Sequence, residues 1–216
     1  MDLLTYLRHD WPTLLRLTGQ HLALVGCAVG LAIVVGVPLG ILTARFRRLA
    51  SPLLALATVV LTIPSIALFG LMIPIFARFG HALGYVPAVT AVLLYSLLPI
   101  LRNTYTALVN VDPGIQEAGR GIGMTPWQRL RMVDLPLAVP VILAGVRTAV
   151  VMNIGVATIA AIIGAGGLGV LILQAISQSN MSKLAVGAVL VSLLAIVADA
   201  ALQRLQTVLT PKGIRP

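Results

Sequence analysis

Between Glu117 and Pro136 the chain reads EAGRGIGMTPWQRLRMVDLP, and here its chemically capable residues gather. Three arginines, two carboxylates, three glycines and two prolines fall within twenty residues, flanked by long runs of Leu, Val, Ile and Ala. Such a stretch can make contact with another macromolecule; it cannot by itself catalyse. The chain has no Ser/His/Asp or Cys/His grouping to arm a nucleophile. Its histidines, His9, His21 and His81, are far apart in sequence, and no spacing of acids around them suggests a metal site. A G-x-x-x-x-G-K-[ST] loop is absent, so any ATP hydrolysis has to be performed by another protein. Gly164-Ala165-Gly166-Gly167-Leu168-Gly169 fits the dinucleotide pattern G-x-G-x-x-G, but that fingerprint needs a preceding strand and an acid about 20 residues on. The next acid is Asp199, thirty residues later, in apolar surroundings, so the run reads as a tight backbone break.

The elements that hold these residues are membrane spans. The chain is 59% hydrophobic and 10% charged, with mean hydropathy +1.03; a soluble domain carries roughly 25% charged residues. Five all-α spans are expected, with six as the alternative: roughly 17–44, 49–77, 82–108, 135–161 and 184–202. Pro64 and Pro74 interrupt the second, which is read as one span broken near Thr62-Ile63-Pro64-Ser65 rather than two crossings. Val170 to Ile176 is apolar but too short to cross, and is expected as a half-helix packed beside the bundle. Gly26 with Gly30 and Gly36 with Gly40 carry the spacing that lets helices approach closely, within one bundle or between subunits. Cys27 is the only cysteine and reads as a packing residue. Residues 1–16 lack the apolar core of a cleaved signal, so the N-terminus is expected to stay on the mature protein.

Net charge is +9, which is topological in a chain this apolar. No aromatic-interleaved basic patch supports nucleic-acid binding. Arg45, Arg47, Arg48, Arg102, Arg120, Arg129, Arg131, Arg204, Lys212 and Arg215 fall on one side of the five-span arrangement. Arg8, Arg16, Arg78 and Lys183 fall on the other, and Arg147 lies inside a span. Basic loops are cytoplasmic, so the N-terminus is expected outside and the C-terminus inside. The insert, 112–136, then lies at the cytoplasmic face. Asp112-Pro113 and Thr125-Pro126-Trp127-Gln128 are two helix starts, separated by Gly119, Gly121 and Gly123. The expected form is a helix, a glycine turn and a short basic helix, with the fourth span taking over at Pro136.

Glu117-Ala118-Gly119, three residues, Gly123, nine residues and Val133-Asp134-Leu135-Pro136 resemble the signature loop of ABC-importer permeases, Glu-Ala-Ala-x3-Gly-x9-Ile-x-Leu-Pro. Gly119 and Val133 are mild departures from that pattern. LTIPSIALFGLMIPIF, LLPILRNTYTAL and LPLAVPVILAGVRTAVVMNIGVATIAAIIGAGGLG extend the likeness over about Leu17 to Leu209, to the permeases of importers for glycine betaine, choline and carnitine. The resemblance implies a type I ABC-importer permease in a bacterial inner membrane. Its implied partners are a second permease subunit, identical or paralogous, a cytoplasmic ATPase dimer that holds the ATP and Mg, and an extracytoplasmic substrate-binding protein. No cofactor is implied on this chain. Glu117, Ala118, Gly119, Gly123, Trp127, Arg129, Leu135 and Pro136 would form the ATPase-coupling loop. Glu117 would be a hydrogen-bond or ion-pair partner, and Gly123 would supply a turn in which a side chain clashes or the dihedral angles forbid one.

Candidates for the pathway or gate are Pro64, Arg147, Asn153, Gly164, Gly166 and Gly167. Arg147 weighs most, because an intramembrane charge faces a cavity or a partner unless it can snorkel to the interface. Asp199 is the candidate partner. Phe69, Tyr95 and Tyr105 have no cage-like spacing, so no residues are assigned to substrate. An ion-coupled secondary transporter is the rival class, kept open by the Pro64 break.

Overall fold

The computed structural model describes residues 10–210, among which every regular element is helical. Arg8, His9, Lys212 and Arg215 lie outside the described residues. The first helix, α1 (Trp11–Arg45), runs for 35 residues. At 1.5 Å per residue this is about 50 Å, longer than the roughly 30 Å hydrocarbon core. It therefore begins before the apolar stretch does, with Pro12 in its first turn.

The second span is broken where the sequence places the break. Helices α2 (Arg47–Thr62) and α3 (Ser65–Ala77) meet at 102° across Ile63-Pro64. Neither is long enough to cross alone; four other helices are long and apolar enough to cross, and the bent pair makes a fifth span where it is counted as one. The break exposes a carbonyl that lipid cannot satisfy. Tyr95, buried in the next helix, donates its hydroxyl to the Ile63 carbonyl. Tyr95→Phe strands that acceptor and is expected to cost about 1–3 kcal/mol. The check is the unfolding midpoint in detergent; a midpoint equal to wild type would remove Tyr95 from this role.

Helix α4 (Tyr85–Val109) is the central post, packed against α1, α2, α3 and the later span. Hydrophobic burial does not hold helices together in lipid, so close packing of small residues has to do so. Ala28, Ala32, Ala88, Ala91 and Ala149 are fully buried in the main core. A Cβ at Gly40 would fall 2.5 Å from Thr104 Cβ, and one at Gly36 would fall 3.0 Å from Ile100 Cγ2. Those two glycines therefore serve packing within this bundle, whereas Gly26 and Gly30 face open space.

After α4 come the insert helices α5 (Pro113–Gly121) and α6 (Pro126–Arg129), a π-turn at Leu130–Asp134, and α7 (Leu135–Val156). The short basic helix does not stop for the fourth span: Pro126–Val156 is one 31-residue helix. Pro136 has no N–H to return to the preceding turn. The widened turn, in which Leu135 N–H reaches back to the Leu130 carbonyl, carries the helix across that gap. The α-helix of the fourth span also ends earlier than expected, at Val156, and a 3₁₀ turn (Ile159–Ile163) leads into the glycine run. The expected half-helix is α8 (Gly169–Ser177), and α9 (Met181–Leu209) closes the bundle along α7 and α8.

Candidate functional site

The insert is built almost entirely by local hydrogen bonds. Asp112 Oδ1 accepts from Gly114 N–H at 2.7 Å and starts α5. At the other end Gly123 N–H donates to Arg120 O and Met124 N–H to Gly119 O, both at 3.0 Å, the two bonds of a Schellman cap. Gly123 holds φ +82, and a Cβ built there has no atom within 4 Å. The expectation of either a clash or a dihedral restriction thus narrows to the dihedral alone. Thr125 and Gln128 then form a reciprocal capping box that starts α6.

This framework turns Glu117, Ala118 and a set of large apolar side chains to the surface. Ile122, Trp127 and Met132 are 76%, 62% and 66% exposed, and the Arg131 guanidinium lies 5.3 Å over the Trp127 ring. Apolar surface of this kind beside exposed charge is the form of a protein-docking face. On the inner side Gly119 is buried; a Cβ there would meet Arg129 Cγ at 3.5 Å, an ordinary contact. A glycine and an alanine are therefore interchangeable in size at the signature's third position. Arg129 Nε donates to Asp134 Oδ2 at 3.1 Å across the π-turn, and Asp134 is buried. That pair ties α6 to the start of α7, where Leu135 and Pro136 stand. Asp134 was invisible as a functional residue because it occupies the variable position of the signature. Asp134→Ala is expected to cost about 1.5–3 kcal/mol, the range for a hydrogen bond to a charged group. The unfolding midpoint in detergent measures it; a midpoint equal to wild type would show that the clamp is dispensable.

Between the two long apolar helices, Arg147 on α7 and Asp199 on α9 form a two-pronged ion pair, Nε to Oδ1 and Nη2 to Oδ2, the latter at 2.6 Å. A second contact joins the same two helices. Gln206 Nε2 donates to the Pro140 carbonyl at 2.9 Å, and Arg147 lies seven residues further along α7, about 10 Å at helical rise. Arg147 is paired with Asp199, the partner expected from the sequence.

The other candidates separate by place. Pro64 sits at the 102° break. Asn153 is fully buried in the helix core, donating to Ser96 Oγ and the Ala149 carbonyl, both at 2.9 Å, while its Oδ1 has no hydrogen bond. Gly164, Gly166 and Gly167 all hold φ near +80 (+78, +80 and +78). Gly166 and Gly167 also lie against α1: built Cβ atoms would fall 2.6 Å from Gln20 Oε1 and 3.0 Å from His21 Nδ1. Gln20 Oε1 accepts from Gly167 N–H at 3.1 Å, and His21 Nε2 lies 2.9 Å from the Ile154 carbonyl. His21, Gln20 and Tyr95 all brace broken backbone, and each acts over a sequence distance that no local pattern reveals.

The described residues form a helical bundle with one bent helix pair and, at one face, a loop that exposes apolar and charged side chains. Solved structures share this form: an inward-facing methionine ABC transporter matches with TM-score 0.81 at 26% identity, over 92% of this chain and 96% of that one. An amino acid ABC transporter matches in fold with TM-score 0.78 at 19% identity, over 95% and 98%. The family model for the binding-protein-dependent transport system inner membrane component matches residues 36–212, and the chain belongs to that family. An osmoprotectant import permease protein of Salmonella typhimurium is 63% identical over the full length of both chains. A glycine betaine/carnitine/choline transport system permease protein of Bacillus subtilis is 41% identical, over 99% of this chain and 96% of the relative.

Proposed function

We propose that this chain is the membrane-spanning permease subunit of an ATP-driven importer for compatible solutes such as glycine betaine, choline or carnitine. The observation that carries the reading is the 63% identity, end to end, with an osmoprotectant import permease. A second reading, import of an amino acid, draws on the likeness to the methionine transporter, but at 26% identity that likeness speaks for the architecture more than the cargo.

In this reading the chain hydrolyses nothing and binds no cofactor; ATP and Mg belong to a cytoplasmic ATPase dimer. A second permease subunit completes the membrane unit, and an extracytoplasmic binding protein delivers the solute. The ATPase engages Glu117, Ala118, Ile122, Trp127 and Met132, which the loop exposes. Movement passes through the Arg129–Asp134 clamp into α7, because docking helix and span are one continuous helix. From α7 it reaches α9 through Arg147–Asp199. The basic residues support a multi-pass bacterial inner-membrane protein with its N-terminus outside and C-terminus in the cytoplasm.

The test is ATP-driven uptake of labelled glycine betaine into proteoliposomes holding this chain with its co-expressed ATPase and binding protein. Uptake that requires ATP supports the reading. Assembly with the ATPase but transport of amino acids in place of betaine would move it to the second reading, and failure to bind an ATPase would overturn both.

A further inference from the structure

The Arg147–Asp199 pair does more than join two helices. With Ala144, Thr148, Val151 and Met152 it lines an open cleft of about 470 Å³. The two side chains are 31% and 35% exposed, on two helices long and apolar enough to cross a membrane. Elsewhere α9 turns Val189, Leu193, Ile196 and Val197 outward, the residues expected against lipid. A half-exposed ion pair facing hydrocarbon would be costly, and intramembrane charges face a cavity or water. The cleft is thus marked as hydrated by the same logic that marks the rest of α9 as lipid-facing.

We infer that this cleft is a transient subsite for the zwitterionic members of that solute class, glycine betaine and carnitine but not choline, with the carboxylate engaging Arg147 and the quaternary ammonium engaging Asp199. The inference rests on the compatible-solute reading above and names where such a solute would be held. A resident ion pair is neutral as a unit. A simple cation can replace only Arg147 as the partner of Asp199, and it leaves the guanidinium unpaired. A zwitterion replaces both partners at once, so charge stays balanced throughout the exchange. The guanidinium fork matches a carboxylate in planar, two-bond geometry, as it already does with Asp199. A quaternary ammonium has no N–H to donate, so Asp199 meets it as charge alone. Partial exposure makes the pair easier to separate than a fully buried one. No aromatic ring lines the cleft, so the cation–π contacts that make tight quaternary-ammonium sites are absent. The site holds solute weakly and lets it leave, as a transport path requires.

The experiment uses the assembled importer in proteoliposomes, with Cys27→Ser removing the lone thiol and Thr148→Cys placing one in the cleft. A membrane-impermeant maleimide is applied from both faces, nucleotide-free and vanadate-trapped. The expected result is labelling in at least one state. Glycine betaine at about ten times the site's Kd should slow it about tenfold, the mass-action occupancy. Choline at equal concentration should slow it little, and Arg147→Gln should abolish the betaine protection. No labelling in either state, labelling indifferent to betaine, or equal protection by choline would each overturn the subsite. Should Thr148→Cys fail to assemble, Ala144→Cys reports on the same cleft. ATP-driven betaine uptake by the unaltered complex is measured alongside, so loss of the subsite with uptake intact leaves the importer reading standing.

Discussion

Alanine at position 123 is expected to impair solute uptake more than asparagine does, although asparagine is the larger side chain. Gly123 sits at φ +82 with open space around a built Cβ, so its requirement is conformational and not steric. The left-handed region costs an L-residue roughly 1–2 kcal/mol, less for asparagine because its short polar side chain bonds locally, and more for a β-branched residue. Each 1.4 kcal/mol is about tenfold in the population of the correctly closed Schellman turn. The order of uptake should therefore be Gly, then Asn, then Ala, then Val, with the valine variant down by about tenfold or more. ATP hydrolysis by the assembled complex should fall much less, because the exposed residues Glu117, Ala118, Ile122, Trp127 and Met132 are all still present. Uptake measured beside ATPase activity in the same vesicles decides the matter. An order that followed side-chain volume would mean that something packs against this turn and that its dihedral is not the constraint.

That series is legible from sequence because the insert is a local structure. Asp112 to Gly114, Gly123 to Arg120, and Thr125 to Gln128 are bonds between residues two or three apart, and residue type alone foretells them. The second-span break at Pro64 and the half-helix Gly169–Ser177 are legible for the same reason. The continuous helix through Pro136 was not. A proline reads as a boundary, and only the register of the helix shows that one π-turn absorbs the missing donor. Nor could spacing supply the braces that make broken backbone tolerable in lipid. Tyr95 reaches Ile63 across 32 residues, His21 reaches Ile154 across 133, and Gln20 reaches Gly167 across 147. Arg147–Asp199 falls between these cases. Charge complementarity nominated the partner, but α7 and α9 had to pack side by side to deliver it.

Gly169→Ala is expected to be the most damaging of the glycine-run substitutions, though its dihedral is ordinary and its side chain the smallest available. A Cβ there would stand 1.9 Å from the Thr158 carbonyl oxygen and 2.7 Å from its carbon. Both atoms are backbone, so no rotamer change relieves the overlap, and the whole turn between α7 and α8 has to move. Overpacking a well-fitted site costs typically 1–3 kcal/mol and occasionally more; with a backbone neighbour that no rotamer change can move, about 3 kcal/mol is the expectation. Gly155→Ala is the internal contrast. That residue lies in α7 with nothing within 4 Å of a built Cβ, so the change should stabilise by up to about 1 kcal/mol through helix propensity. Gly164→Ala belongs between them, since its φ of +78 is strained but its surroundings are open. Unfolding midpoints in detergent should rank Gly155→Ala above wild type, then Gly164→Ala, then Gly169→Ala, with recovery of the assembled complex falling in the same order. If Gly169→Ala matched Gly155→Ala, the close approach of α8 to Thr158 would not exist, and the glycines of this run would serve only to bend the chain. The ranking thus separates two reasons for glycine that one sequence pattern, G-x-G-x-x-G, presents as the same.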